Sequence, residues 1–204
     1  MKPNWLTLDD IADARAYERE REAFRAGIIE LKKKRRVSVG PVVTLVFENR
    51  DTIRFQIQEM ARAERLLSDQ AIQVELDTYN PLIPGPGELS ASLYIELTSR
   101  VEMEHWLPRL VGIERSVTLR LGGDADSNGG AEVIRCVVEE SHASHLTREE
   151  VTAAVHFVRF ELSPAQIERF GAAEVTLAFD HPEYRESILL TAETRSTLLG
   201  DLLG

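Results

Sequence analysis

His156, in "VTAAVHFVRFEL", and His181, in "EVTLAFDHP", each fall in the apolar phase of a strand-like alternation. The first shares a face with Val158, Phe160 and Leu162, and the second with Val175, Leu177 and Phe179. A single inward histidine most often serves a core as a hydrogen-bonded neutral ring. Two of them with a carboxylate make a different set: three ligands and one open position, the arrangement in which a bound metal activates water. The carboxylate candidates are Asp180, next to His181, and Glu64. The ion would be divalent iron, zinc or manganese.

Glu64 belongs to "ENRDTIRFQIQEMARAERLL", Glu48 to Leu67, a polar stretch that still spells an apolar helical face. At about 100° per residue, Ile53, Ile57, Met60 and Leu67 form one stripe with Glu64 in its middle. Gln56 lies at the edge of that stripe, and Arg50, Arg54, Gln58, Arg62 and Arg65 spread over the opposite and flanking faces. A carboxylate on an apolar stripe must pair with a cation or shift its pKa upward, because burying it charged and alone is too costly. The helix therefore reads as half core and half site. Its candidate pocket residues are Glu48, Asn49, Arg50, Arg54, Gln56 and Glu59, with Glu64. Arg159 of "VHFVRFEL" and Tyr184 of "DHPEYR" join them. Arginines there would hold an anionic substrate, or in a metal-free sensor a small anion, through forked donors, with Gln56 orienting it.

Other motifs carry less chemistry. "DADSNG", Asp124 to Gly129, matches the first half of a calcium loop, but its twelfth position is Arg135 and its flanks read as strands, so a hairpin loop is expected. "HASH" sets His142 and His145 beside Glu139 and Glu140 in a loop-like stretch. Neither "GPVV" nor "PGPGE" has the spacing of a phosphate loop, and no Gly-x-Ser-x-Gly is present. Cys136 is the sole cysteine, which excludes an intrachain disulfide and a self-ligated iron–sulfur cluster. Alternation with Ile134 and Val138 marks it as a buried thiol.

The elements that must position these residues follow from length and period. A chain of 204 residues, 43% hydrophobic and 28% charged, has the composition of one globular domain with a sizeable core. Its net charge of −10 argues against nucleic acid. "KKKRR", Lys32 to Arg36, reads as the basic end of a helix. No run is apolar enough to span a bilayer and "MKPNWLTLDD" lacks the order of a signal peptide, so a cytoplasmic protein without a membrane partner is expected. "TLDD" is a capping signal for an N-terminal helix carrying Phe24, Ile28 and Leu31 on one face. "VSVGPVVTLVFE" reads as two short strands around Gly40 and Pro41, and "DQAIQVELDTY" as a helix ended by Asn80 and Pro81. From residue 88 the period is two, with short helices at "RVEMEHWLPRL" and "SPAQIERF" and a leucine-bearing helix at the end. The whole is one α+β domain over residues 1–204. Residues 1–80 are mainly helical with a short strand pair, and 88–204 are mainly strands, giving a helical N-terminal third packed on a mostly antiparallel sheet.

Read in order, "YEREREAFRAGIIELKKKRRVSVGP", "TLVFENRDTIRFQIQEM", "ELDTYNPLIP", "AVHFVRFEL" and "DHPEYR" resemble the bacterial family known as domain of unknown function 3501. The resemblance runs over nearly the whole chain. It implies no activity by itself, since the family is uncharacterised. What it implies is a setting: the family's genes neighbour rubrerythrin-like di-iron proteins and iron–sulfur oxidoreductases resembling heterodisulfide reductase subunits. The expected role is then an accessory protein of peroxide or oxygen defence that contacts such a partner. The lone Cys136 and the lack of a flavin or nicotinamide fingerprint point to a chain with no redox centre of its own.

Overall fold

Two antiparallel sheets organise the molecule. The computed structural model describes residues 4–122, 131–138 and 151–204. One sheet carries β1 (Arg36–Val39), β2 (Val43–Glu48), β3 (Glu88–Ile95), β7 (Val155–Glu161) and β6 (Val137–Val138), in the order β1-β2-β3-β7-β6. The other carries β5 (Glu132–Arg135), β4 (Val117–Leu121), β8 (Val175–Phe179) and β9 (Ser187–Leu189), in that order. All strand pairs described are antiparallel. The α+β class holds, with the strands divided over two sheets.

Register sorts the residues of the larger sheet. Val43, Leu45 and Phe47 lie opposite Ile95, Leu93 and Ala91, and Leu89, Ala91 and Leu93 opposite Phe160, Val158 and His156. This oily face joins Leu119, Leu121, Val175, Leu177 and Phe179 of the second sheet in one core. The other face carries Thr44 and Glu48, then Ser90, Ser92 and Tyr94, then Val155, Phe157 and Arg159. Against that second face sit α2 (Arg50–Glu64) and α3 (Asp69–Tyr79), whose Ile53, Ile57 and Leu76 form a smaller core with Leu6, Leu82, Ile83 and Phe157. At Cys136 the chain crosses from β5 in one sheet to β6 in the other. Its thiol donates to the carbonyl of Glu114 at 3.0 Å, and burial pushes its pKa up to about 11.

The helices close the structure. Helix α1 (Ala14–Lys33) is capped by Asp13, whose carboxylate accepts from the Arg15 and Ala16 amides. "TLDD" caps only the 3₁₀ turn before it, Leu8–Asp10. Phe24 stacks edge-on against Phe55 of α2 and receives the Arg54 guanidinium 5.1 Å from its centroid. The basic run is split by the fold. Lys32 and Lys33 end α1, Arg36 opens β1, and Arg35 is 3% exposed and forked onto Asp201 at 2.6 and 2.8 Å. Asp201 sits on α6 (Ala192–Leu203), which buries Leu198 and Leu202 in the main core while Leu203 stays exposed. Helices α4 (Arg100–Trp106) and α5 (Pro164–Ala172) complete the set described. Among the described residues no helix is long and apolar enough to cross a membrane.

Tyr184 is buried, and its hydroxyl locks the β1–β2 turn. It donates to the Val39 carbonyl at 2.7 Å and accepts from the Val42 and Val43 amides at 3.2 Å. Gly40 turns there at φ 70°, and a β-carbon on it would sit 2.6 Å from that hydroxyl. Tyr184→Phe is expected to destabilise by about 1–3 kcal/mol, read from urea unfolding midpoints at unchanged slope.

Candidate functional site

The polar residues of α2 divide into two groups with different work. The first clamps the N-terminal segment. Gln58 accepts from the Ala12 amide at 2.7 Å and donates to the Ala12 carbonyl at 3.2 Å. Arg50 bonds the Asp10 carboxylate at 2.6 Å, and Arg54 the Asp10 carbonyl at 2.8 Å. Asn80, after α3, holds Leu6 by the same reciprocal pair, at 2.8 and 2.9 Å. A segment with no strand partner needs these bonds where helices cover it, as at buried Leu6 and half-buried Ala12. Asn49 is a cap, accepting from the Thr52 amide at 3.0 Å.

The apolar stripe expected on α2 is rotated and shortened. Its buried face is Thr52, Ile53, Ile57, Gln58 and Ala61. Glu64 is exposed, because the helix ends there, Arg65 turns into the left-handed region at φ 56° and Leu67 is 82% exposed. Its placement on a buried stripe is thereby corrected. Glu59 faces α1 instead of a pocket with Gln56. Arg21 reaches its two oxygens at 2.8 Å each and Tyr17 donates at 2.6 Å. The Arg21 bonds hold its pKa down at about 2, against the opposing effect of burial. Arg159 bonds Glu88 and the Pro81 carbonyl. The arginines named from the sequence therefore do not line one anion pocket.

The histidines are both buried, on the same 111–114 turn, and do not form the metal set. His181 faces the Val111 carbonyl with Nε2 at 3.1 Å and accepts the Glu183 amide on Nδ1 at 3.2 Å, so both nitrogens are occupied. His156, 2% exposed, sets Nε2 2.9 Å from the Ala153 carbonyl and 2.8 Å from Thr152 Oγ1, with Nδ1 4.0 Å from Glu114 Oε2. Burial pushes its pKa down, outweighing the pull of Glu114. Asp180 is half exposed and pairs with Arg135 at 3.4 Å. Among the described residues no three histidine, cysteine or acidic side chains are grouped to hold a metal. "DADSNG" and the His142 and His145 stretch lie outside the described residues.

The second group meets the sheet. Glu48 ends β2 on the helix-facing side, 5% exposed, and accepts the Ser92 hydroxyl at 2.6 Å. No cation pairs with it among the described residues. It borders a cavity of about 220 Å³ together with Gln56, Tyr79, Ser92 and Tyr94, and Ile53, Leu82, Val155 and Phe157 supply the apolar walls. Gln56 lies beside Tyr79, and Ser92 beside Tyr94. Both phenols titrate above their ordinary value, chiefly through burial; the charge of Glu48 adds to this at Tyr94, and those of Glu75 and Glu64 at Tyr79. Glu48 and Gln56 thus converge with the "VHFVRFEL" strand, through Val155 and Phe157, on the face opposite His156. Sequence reasoning missed Ser92, Tyr94 and Tyr79. The signal was in "LSASLYIEL", whose polar positions Ser90, Ser92 and Tyr94 keep strand phase between buried apolar ones.

Fold and site together define a two-sheet α+β protein with a solute-sized cavity between sheet and helices. The chain belongs to the family described as "Protein of unknown function (DUF3501)", whose model matches residues 5–202. It is also similar to a solved crystal structure, a novel protein of unknown function from Burkholderia pseudomallei. That likeness has 36% identity and a TM-score of 0.85, over 97% of this chain and 98% of the other. No curated protein matches it.

Two outcomes are expected. Gln58→Ala should strip hydrogen-exchange protection from the Ala12 amide and its neighbours, with a stability loss of about 1–3 kcal/mol. Glu59 has its pKa depressed from 4.5 to about 2 in the folded chain, so its contribution is full above 4.5 and lost as pH falls toward 2. In Glu59→Gln, the fall in melting temperature across that window should be shallower than in the wild type.

Proposed function

We propose that the chain is a cytoplasmic accessory protein that takes up a compact solute in the Glu48 cavity and works beside an iron-containing redox partner. The observation that carries the reading is Glu48, a buried carboxylate held by one hydroxyl at the edge of a cavity. Leaving such a group without a cation costs stability, and a fold retains such costs chiefly where a ligand answers them. Ser92 serves as a positioning donor, because a carboxylate is too weak a base to ionise a serine hydroxyl. A few converging polar groups in an apolar wall, set between a sheet and its covering helices, are usual marks of a binding site. The partner half rests on the rubrerythrin-like and iron–sulfur oxidoreductase setting that the sequence resemblance implies.

Equilibrium dialysis against a small-molecule extract of native cells, read by mass spectrometry, tests the binding half. The wild type is expected to retain at least one compound that Val155→Trp, with its cavity filled, does not. Equal retention by both would overturn it. Capture from the same cells should recover an iron-containing redox protein, and repeated recovery of none would remove the partner.

A further inference from the structure

Resting on the reading of the Glu48 cavity as a binding site, we propose that its ligand is a small organic cation of the alkylammonium class. Three features converge on that charge and shape. Among the described residues the lining holds one carboxylate and no cation, with a Ser92 bond at 2.6 Å on Oε1. Three aromatic rings, Tyr79, Tyr94 and Phe157, border the same space, and a ring face attracts a cation through its quadrupole while tolerating its alkyl groups. The field beyond the lining is also acidic on the α3 side, where Glu75 and Glu64 both act on Tyr79. On the sheet side Arg36 and Glu96 both act on Tyr94, and these two are paired with each other.

Alternative ligands fit less well. An anion would meet Glu48 without a compensating positive group. A bare metal ion needs several ligands of suitable type, and the cavity offers one carboxylate among hydroxyls and apolar walls. The volume of about 220 Å³ corresponds to roughly seven waters at ~30 Å³ each, the scale of a compact amine with a few carbons. In this mode the ammonium sits at Glu48, its alkyl part packs on Phe157, Ile53 and Leu82, and Gln56 or a phenol accepts from any further donor.

The test uses three probes of one shape and different charge: (2-hydroxyethyl)trimethylammonium, 3,3-dimethyl-1-butanol and 3,3-dimethylbutanoate, titrated calorimetrically into the full chain at constant ionic strength. The ammonium is expected to bind at least about tenfold tighter than the alcohol, and the carboxylate weakest of all. Glu48→Gln, which keeps an acceptor for Ser92, should abolish the difference between ammonium and alcohol, and circular dichroism should show it folded. Binding of the alcohol or the carboxylate as tightly as the ammonium, blocked by Val155→Trp, would overturn the cation and leave the cavity a binding site. Binding of none of the three to the wild type would overturn the cation, while dialysis against the cell extract still decides the cavity. A cation preference that survives in Glu48→Gln would overturn the assignment to this carboxylate.

Discussion

A sheet covered on both faces cannot leave a polar side chain unanswered, and most of this protein's architecture follows from how the larger sheet meets that constraint. Its sandwich face is oily apart from His156 and is covered by the second sheet. Its helix face carries Thr44, Glu48, Ser90, Ser92, Tyr94 and Arg159, which hydrocarbon could cover only at high cost. The fold answers them in pairs: Arg159 with Glu88, Thr44 with Glu96, Ser92 with Glu48. Glu48 is the member of that set whose charge is not neutralised among the described residues, and there the covering helices leave a cavity instead of close packing.

The same constraint explains the polarity of α2. A helix laid over an oily sheet face would carry a broad apolar stripe. Here Ile53 and Ile57 suffice, since much of the surface beneath is polar and Gln58, Arg50 and Arg54 are spent on the N-terminal segment. That segment in turn covers the seam between α2 and α3, with Leu6 completing the smaller core. Polar side chains in this layer therefore do structural work at one end and line a cavity at the other, and residue type alone does not separate the two roles.

His156 and His181 illustrate the limit of residue type as a guide to chemistry. Their strand phase is inward as the alternation requires, and both reach the turn at 111–114. What they do is satisfy carbonyls: Val111, in that turn, for His181, and Ala153, ahead of its own strand, for His156. A metal set needs free nitrogens converging on a point, and convergence across strands is a matter of register and sheet packing.

The sequence by itself determined the α+β class, the short strand pair about Gly40, the helices around α2 and α3, and the inward phase of both histidines, because these depend on periodicity and on backbone preferences local to a few residues. It also carried the family, through an ordered set of motifs. Tertiary structure decided the rest. Whether Glu64 lies on a buried face depended on where α2 stops, at a left-handed Arg65. That Glu48, on the helix face, has no cation among the described residues depended on which carboxylates and carbonyls claim the arginines: Asp10 draws Arg50 and Arg54, Glu88 draws Arg159, and Glu59 draws Arg21. Tyr79, Ser92 and Tyr94 come from two elements and meet Glu48 only once β3 is registered against β2 and α3 is laid across them. Charge pairing and cavity shape are properties of distances between remote residues, and no local pattern in the chain encodes them.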